Sequence, residues 1–148
     1  MKEVLIKIIN RSAWWHVMPI DPNAYKKRGK FLASSYSQAQ FYGRPNIESE
    51  KVNIKNPVFG FSEIEILLQL FEKADQTAAL NLYNELIKSD SNTYKMRIEL
   101  DSKMYVKAKK LGFDAIVLMT EAAKSALGRF RKPHSIELNL VSDFAAVA

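Results

Sequence analysis

The stretch Gly29–Gly43, GKFLASSYSQAQFYG, decides how the chain is read. Phe31 and Ala33 alternate with Leu32 and Ser34, the period of a strand, which predicts β structure over Lys30–Ser35. Ala39, Phe41 and Tyr42 follow a different spacing and Gly43 supplies a stop, which predicts a helical turn over Tyr36–Tyr42. A strand ending in Ser34-Ser35 at a helix mouth offers hydroxyls and free backbone N–H groups to a ligand. The same serines also suit a plain N-cap, in which a hydroxyl accepts from the first helical turn.

Toward the N-terminus, Glu3–Ile9 (EVLIKII) is β-branched and apolar and predicts a strand. Trp14–Ile20 (WWHVMPI) predicts a second, limited by Pro19. Asn23–Arg28 predicts one helical turn closed by Gly29. Toward the C-terminus, Arg44–Glu50 reads as a loop, and Lys51–Asn56 alternates as a strand ended by Asn56-Pro57. Phe61–Ala74 predicts a helix, with Ser62 and Glu65 as a capping box and Ile64, Leu67, Leu68 and Phe71 as its apolar stripe. Thr77–Lys88 repeats the pattern through Leu80, Tyr83 and Ile87, making a hairpin joined around Asp75-Gln76 and followed by a polar loop, Ser89–Thr93.

Tyr94–Leu100 suits either a strand or the approach to a helix capped by Asp101 and closed at Gly112. Ala115–Met119 (AIVLM) is wholly apolar and predicts a central strand. Thr120–Arg131 is a basic connection, helical in part over Glu121–Leu127. Ser135–Val141 alternates again, with Ile136, Leu138 and Leu140 on one side and Glu137 and Asn139 on the other. The tail Phe144–Ala148 can dock or fray. The class is α+β: one domain over residues 1–148, with a helical insert at about 61–91.

Composition narrows the function. A chain of 148 residues, 47% hydrophobic, can bury a proper core. No apolar run reaches the length of a membrane helix, and MKEVLIKIIN is too short and too charged for a secretory signal. With no cysteine, thiol catalysis and cysteine-based zinc sites are excluded, and two histidines make a poor metal site, so no metal is predicted. These features fit a cytoplasmic protein with no membrane partner. The net charge of +6, clustered at Tyr25–Lys30 and Gly128–Pro133, favours polyanions from a dinucleotide to nucleic acid, and equally suits a solvated basic face.

Polar groups capable of chemistry fall on segments far apart in the chain: His16, Ser34-Ser35 leading to Tyr36 and Tyr42, and Glu137. Taken singly, His16 among Trp14, Trp15 and Val17 suits a satisfied core histidine, and Glu137 a solvent-facing carboxylate. Their order resembles the ADP-ribosyltransferase superfamily. Trp15-His16-Val17 looks like its first motif, and Lys30–Tyr42 like its aromatic-small-serine strand running into a helix. Lys51–Pro57 resembles the strand and Asn-Pro that follow, Gly112-Phe113-Asp114-Ala115-Ile116 the helix-to-strand turn of phage and bacterial members, and Ser135–Val141 the closing glutamate strand.

The resemblance implies a split, mostly antiparallel sheet with an inserted helical hairpin, and NAD as substrate. It implies Glu137 as the catalytic carboxylate, His16 on a ribose, the Val17 backbone on the nicotinamide amide, and Ser34 or Ser35 positioning ribose or Glu137. Phe31, Tyr36 or Tyr42 would offer a stacking face, and Arg28, Lys30 or Arg129 would meet the pyrophosphate. ADP-ribose would pass to a macromolecular acceptor, protein or nucleic acid. Two departures stand out: Phe31 lacks the hydroxyl of the usual tyrosine, and Ser135 stands where arginine-modifying members carry an acid. Two other readings remain open. One is a catalytically inactive relative that binds partners through the 61–88 hairpin, and the other a basic nucleic-acid binder, for which no recognition motif is present.

Overall fold

Alternating and wholly apolar segments collect into one sheet, and the amphipathic segments cover it. The structure, a computed structural model, describes residues 1–88, 93–141 and 146–147. In chain order the elements are α1 (Lys2–Arg11), β1 (Trp15–His16), α2 (Ala24–Arg28), β2 (Lys30–Ala33), α3 (Tyr36–Ala39), β3 (Lys51–Val52) and β4 (Pro57–Gly60). There follow α4 (Glu63–Leu70), α5 (Lys73–Lys88), α6 (Thr93–Lys110), β5 (Ala115–Met119), α7 (Ala123–Gly128), β6 (Ile136–Leu140) and β7 (Ala146–Val147). The class is α+β. Five strands order as β1-β2-β6-β5-β4, antiparallel except for β4 with β5, and β3 pairs separately with β7. Among the described residues no helix is long and apolar enough to cross a membrane.

Each face of the sheet carries its own core. Ile136, Leu138 and Leu140 point to one face, where they join Leu32, Ala115, Val117, Trp14 and α1. Ile116 and Val58 point to the other, beneath α4, α5 and α6. Each such aliphatic side chain contributes about 1.5–3 kcal/mol on burial. Gly29 fixes where β2 starts. Its φ of +83° suits glycine, and a Cβ there would stand 2.3 Å from Asn139 Oδ1 and 2.7 Å from the Leu140 carbonyl oxygen.

Several elements differ from the sequence reading. Glu3–Ile9 lies within helix α1, not in a strand. Its buried residues Leu5, Ile8 and Ile9 recur at helical spacing, and covering the core outweighs β-propensity. Trp14–Ile20 keeps only two residues of strand, with Trp14 and Val17 bridging outward to Glu50 and Pro45. Pro57 begins β4 rather than ending a strand, because the Asp114 carboxylate accepts from Lys55 N at 2.6 Å and Asn56 N at 2.9 Å and turns the chain there.

Ser62 does cap α4, accepting from Glu65 N at 3.2 Å, but the Glu65 carboxylate reaches Phe61 N at 2.8 Å instead of the cap residue's own N–H. The buried stripe of α4 is Ile66, Leu67 and Leu70, leaving Ile64 and Leu68 exposed. The helix joint falls at Phe71-Glu72, so Asp75 and Gln76 lie inside α5, where Ala79 and Leu86 are buried and Ile87 is exposed. Tyr94–Leu100 is helical, and Asp101 sits inside α6 rather than capping it. The insert is therefore three helices rather than a hairpin. Residues 89–92 of the loop expected at Ser89–Thr93 lie outside the described residues, as do 144–145 and 148 of the tail, whose residues 146–147 form β7.

The rotated stripe of α4 is directly testable. Leu67→Ala is expected to cost about 2–5 kcal/mol in urea unfolding, whereas Leu68→Ala stays within about 1 kcal/mol. Equal costs would contradict this orientation.

Candidate functional site

The site is set by cross-strand register. One row runs Trp15, Ala33, Glu137, Leu118 and Gly60 across the five strands. The adjacent row runs His16, Leu32, Leu138, Val117 and Phe59 and points to the opposite face. Glu137 therefore stands on the face that α4 and α6 cover, with Phe31 and Asn139 one register step away. Ala33, its direct neighbour on β2, leads straight into Ser34, Ser35 and α3.

Charged side chains from the covering helices gather over this face. Arg97 on α6 clasps Glu63 on α4 with both terminal nitrogens, at 2.6 and 3.1 Å, and its Nε donates to Asp101 at 2.9 Å. Arg28 on α2 donates to the other oxygen of Asp101 at 2.7 Å, and its guanidinium lies 5.6 Å from the centre of the Phe31 ring. Burial opposes the charge on Arg97, but Glu63 and Asp101 outweigh it and hold the guanidinium above its usual range. Glu137 is half-buried beside this network. Burial first, then the charges of Asp101 and Glu63, raise its pKa, with Arg97 pulling the other way. The charge of Glu137 in turn is the chief reason that the exposed Tyr42 phenol titrates high, which places that phenol near the carboxylate.

His16 belongs to the other face. It is 4% exposed, with Nδ1 2.9 Å from the Phe31 carbonyl oxygen and Nε2 2.7 Å from the Tyr25 hydroxyl. A carbonyl only accepts, so Nδ1 carries the proton and the Tyr25 hydroxyl donates to Nε2. Burial is the main cause that lowers its pKa. Ser34 is buried and its hydroxyl meets Gln38 Oε1 and the His134 carbonyl. Ser35 caps α3, accepting from Gln38 N at 3.2 Å. Val17 bridges to Pro45. Lys30 pairs with Glu50 at 2.6 Å, Arg129 is an exposed C-cap of α7, and Tyr36 is partly exposed on α3.

The structure thus brings Glu137, Tyr42, Phe31 and Arg28 to one side and does not bring His16 or Lys30 to them. Ser34 and Ser35 are held by their own local contacts. A shallow hollow of about 750 Å³ is lined by Arg44–Glu50 and includes none of the site residues. Among the described residues no group of three His, Asp or Glu side chains is placed to hold a metal ion.

Sequence reading missed Arg97, Asp101 and Glu63. The one local signal was the i,i+4 spacing of Arg97 and Asp101 on a helix. It also missed Lys132, whose Nζ donates to the Ala13 and Ser34 carbonyls at 2.8 and 2.7 Å and lies 4.5 Å from the Trp14 ring and 5.9 Å from that of Trp15. Burial, with the charge of Lys51, lowers its pKa to about 8.

With this geometry in hand, comparison with protein-family models, with curated proteins and with solved structures gives no match for the chain.

His16 and Glu137 act oppositely on stability. His16 is depressed, so the unfolded chain takes up the proton first; its contribution is present above pH 6.5 and lost as pH falls below it. Glu137 is raised above 4.5, so its contribution is present below that pH and lost as pH rises. Glu137→Gln is therefore expected to raise the calorimetric midpoint at pH 7 and to leave it unchanged near pH 4. A variant less stable than the parent at pH 7 would contradict the burial of an uncompensated carboxylate.

Proposed function

We propose that this chain is an ADP-ribosyltransferase-like protein that binds NAD on the Glu137 side of its sheet and passes ADP-ribose to a macromolecular acceptor. The supporting observation is the placement of Glu137 directly across from Ala33, where β2 runs into Ser34, Ser35 and α3, with Tyr42 nearby. That is the strand-to-helix and glutamate-strand pairing which the motif order implies, and the mostly antiparallel sheet is compatible with an ADP-ribosyltransferase-type fold.

The bond between ribose C1′ and the nicotinamide nitrogen breaks through an oxocarbenium-like state, as glycosidic bonds do. Nicotinamide leaves with the bonding pair, and an acceptor atom or water forms the new bond at C1′ and loses its proton. An ionised Glu137 would hydrogen-bond a ribose hydroxyl and stabilise the positive charge that develops. Tyr42 and Phe31 offer aromatic faces on the same side. Arg28 is the nearer candidate for the pyrophosphate, because its Nε is buried without a partner among the described residues. His16 takes a positioning role in this reading: its Nδ1–H holds the Phe31 carbonyl and so the start of β2.

One observation favours a second reading, an inactive NAD-binding or interaction module: His16, Ser34 and Ser35 all commit their polar atoms inside the protein. The experiment separating the two follows NAD consumption and thermal shift together. The transferase reading expects NAD at 100 times its Kd to stabilise the protein by about 2.7 kcal/mol. It also expects Glu137→Gln to lower turnover roughly 100-fold or more while keeping that shift. Stabilisation without turnover supports the inactive module, and no stabilisation by NAD removes both.

A further inference from the structure

Glu137 stands among groups delivered by elements distant from its own strand: Glu63 on α4, Arg97 and Asp101 on α6, Arg28 on α2, and Tyr42 after α3. Register places the carboxylate on the α6 side of the sheet, and two turns of contact tie that helix down. Asn139, two residues on from Glu137, donates to the Arg28 carbonyl at 2.9 Å, and the Arg28 side chain reaches Asp101 at 2.7 Å. Leu100 and Met104 of α6 pack with Ile116 on the same face. The charges do not balance: two guanidinium groups, Arg28 and Arg97, face three carboxylates, Glu63, Asp101 and Glu137. Glu63 and Asp101 hold the cations by direct ion pairs, at 2.6–2.7 Å. Glu137 forms no such pair among the described residues, so it is the group left with what remains.

We infer that Arg97 is the positioning residue of this site: a guanidinium fixed on α6 that supplies the compensating charge for Glu137, with Asp101 and Glu63 setting how much of that charge reaches it. The helical insert then governs the ionisation state of a carboxylate it never touches by hydrogen bond. This rests on the assignment of Glu137 to the sugar made above, but it concerns the carboxyl group itself and can be read without NAD. Asp101 matters most, because it shares both arginines. Removing its charge frees both cations toward Glu137, whereas removing Arg97 takes one of them away.

The test is a pH titration of the Glu137 side-chain carboxyl by carbon-13 NMR on the full chain, the resonance being assigned with Glu137→Gln. Asp101→Asn is expected to lower the midpoint and Arg97→Gln to raise it, each by about one pH unit, a roughly tenfold change in ionisation constant. Arg97→Lys should stay near the parent, since the charge is kept. Asp101→Asn retains Arg97 and its clasp on Glu63, so it reports even if Arg97→Gln fails to fold. An unchanged midpoint in Asp101→Asn overturns the inference, as does a shift in the same direction in both variants. Where NAD is consumed, the acid limb of turnover should move with the titration, and an acid limb that ignores it also overturns the inference. Midpoints that shift as expected in a protein that never consumes NAD uphold the role of Arg97 and remove the transferase reading alone.

Discussion

The pairing of β2 with β6 is the constraint on which everything else depends. Its register, from Lys30 against Leu140 to Ala33 against Glu137, decides which side chains share a face. A slip by one residue would turn Glu137 into the core around Leu138 and push Leu138 out beneath α6. Two contacts hold the register at its open end. Gly29 lets the backbone of β2 approach Asn139 and Leu140 closely, and the Asn139 amide donates to the Arg28 carbonyl. At the other end, Gln38 donates to the His134 carbonyl at 2.7 Å and to Ser135 Oγ at 2.8 Å, tying α3 to the approach of β6. The serines expected to meet a ligand belong to this same fastening.

The ion network over Glu137 is better understood as a specification than as a source of stability. Pairing buried charges largely offsets what it costs to take them out of water, so Arg97 with Glu63 and Asp101 adds little to the net free energy of folding. Breaking one partner is costly, because it leaves a buried charge alone. What the network does supply is orientation: it joins α2, α4 and α6 at one point above the sheet. An apolar cluster of equal size would hold the helices equally well but would leave Glu137 with no cation in reach.

Much of this was legible in the sequence wherever the signal was local. The change of period at Ser34-Ser35 marks the end of β2 and the start of α3, and the alternation of Ile136–Leu140 gives both the strand and its two faces. Gly29 closes α2 as read. Segments whose propensity and burial disagree were not legible: Val4, Ile6 and Ile8 favour β structure, yet the 5, 8, 9 spacing of the buried residues makes α1 a helix. In α6 the charged residues between Leu100, Met104 and Ala108 mask the apolar period. The face that His16 occupies was beyond reach for another reason. It depends on register between β1, β2 and β6, a relation among residues more than a hundred positions apart, which no local pattern encodes. The Glu63–Arg97–Asp101–Arg28 cluster is non-local in the same sense.

The chain has two tryptophans, and both lie at β1 beneath the Lys132 ammonium, Trp14 fully buried and Trp15 partly so. Indole emission from this protein is thus a report from one small district, the junction of β1, the end of β2 and the approach to β6. Loosening of α4 or α5 would leave the emission unaltered, while any event that parts the 132–134 segment from the sheet would change its colour and yield at once. An optical signal that is usually an average over a molecule is, in this one, a local gauge.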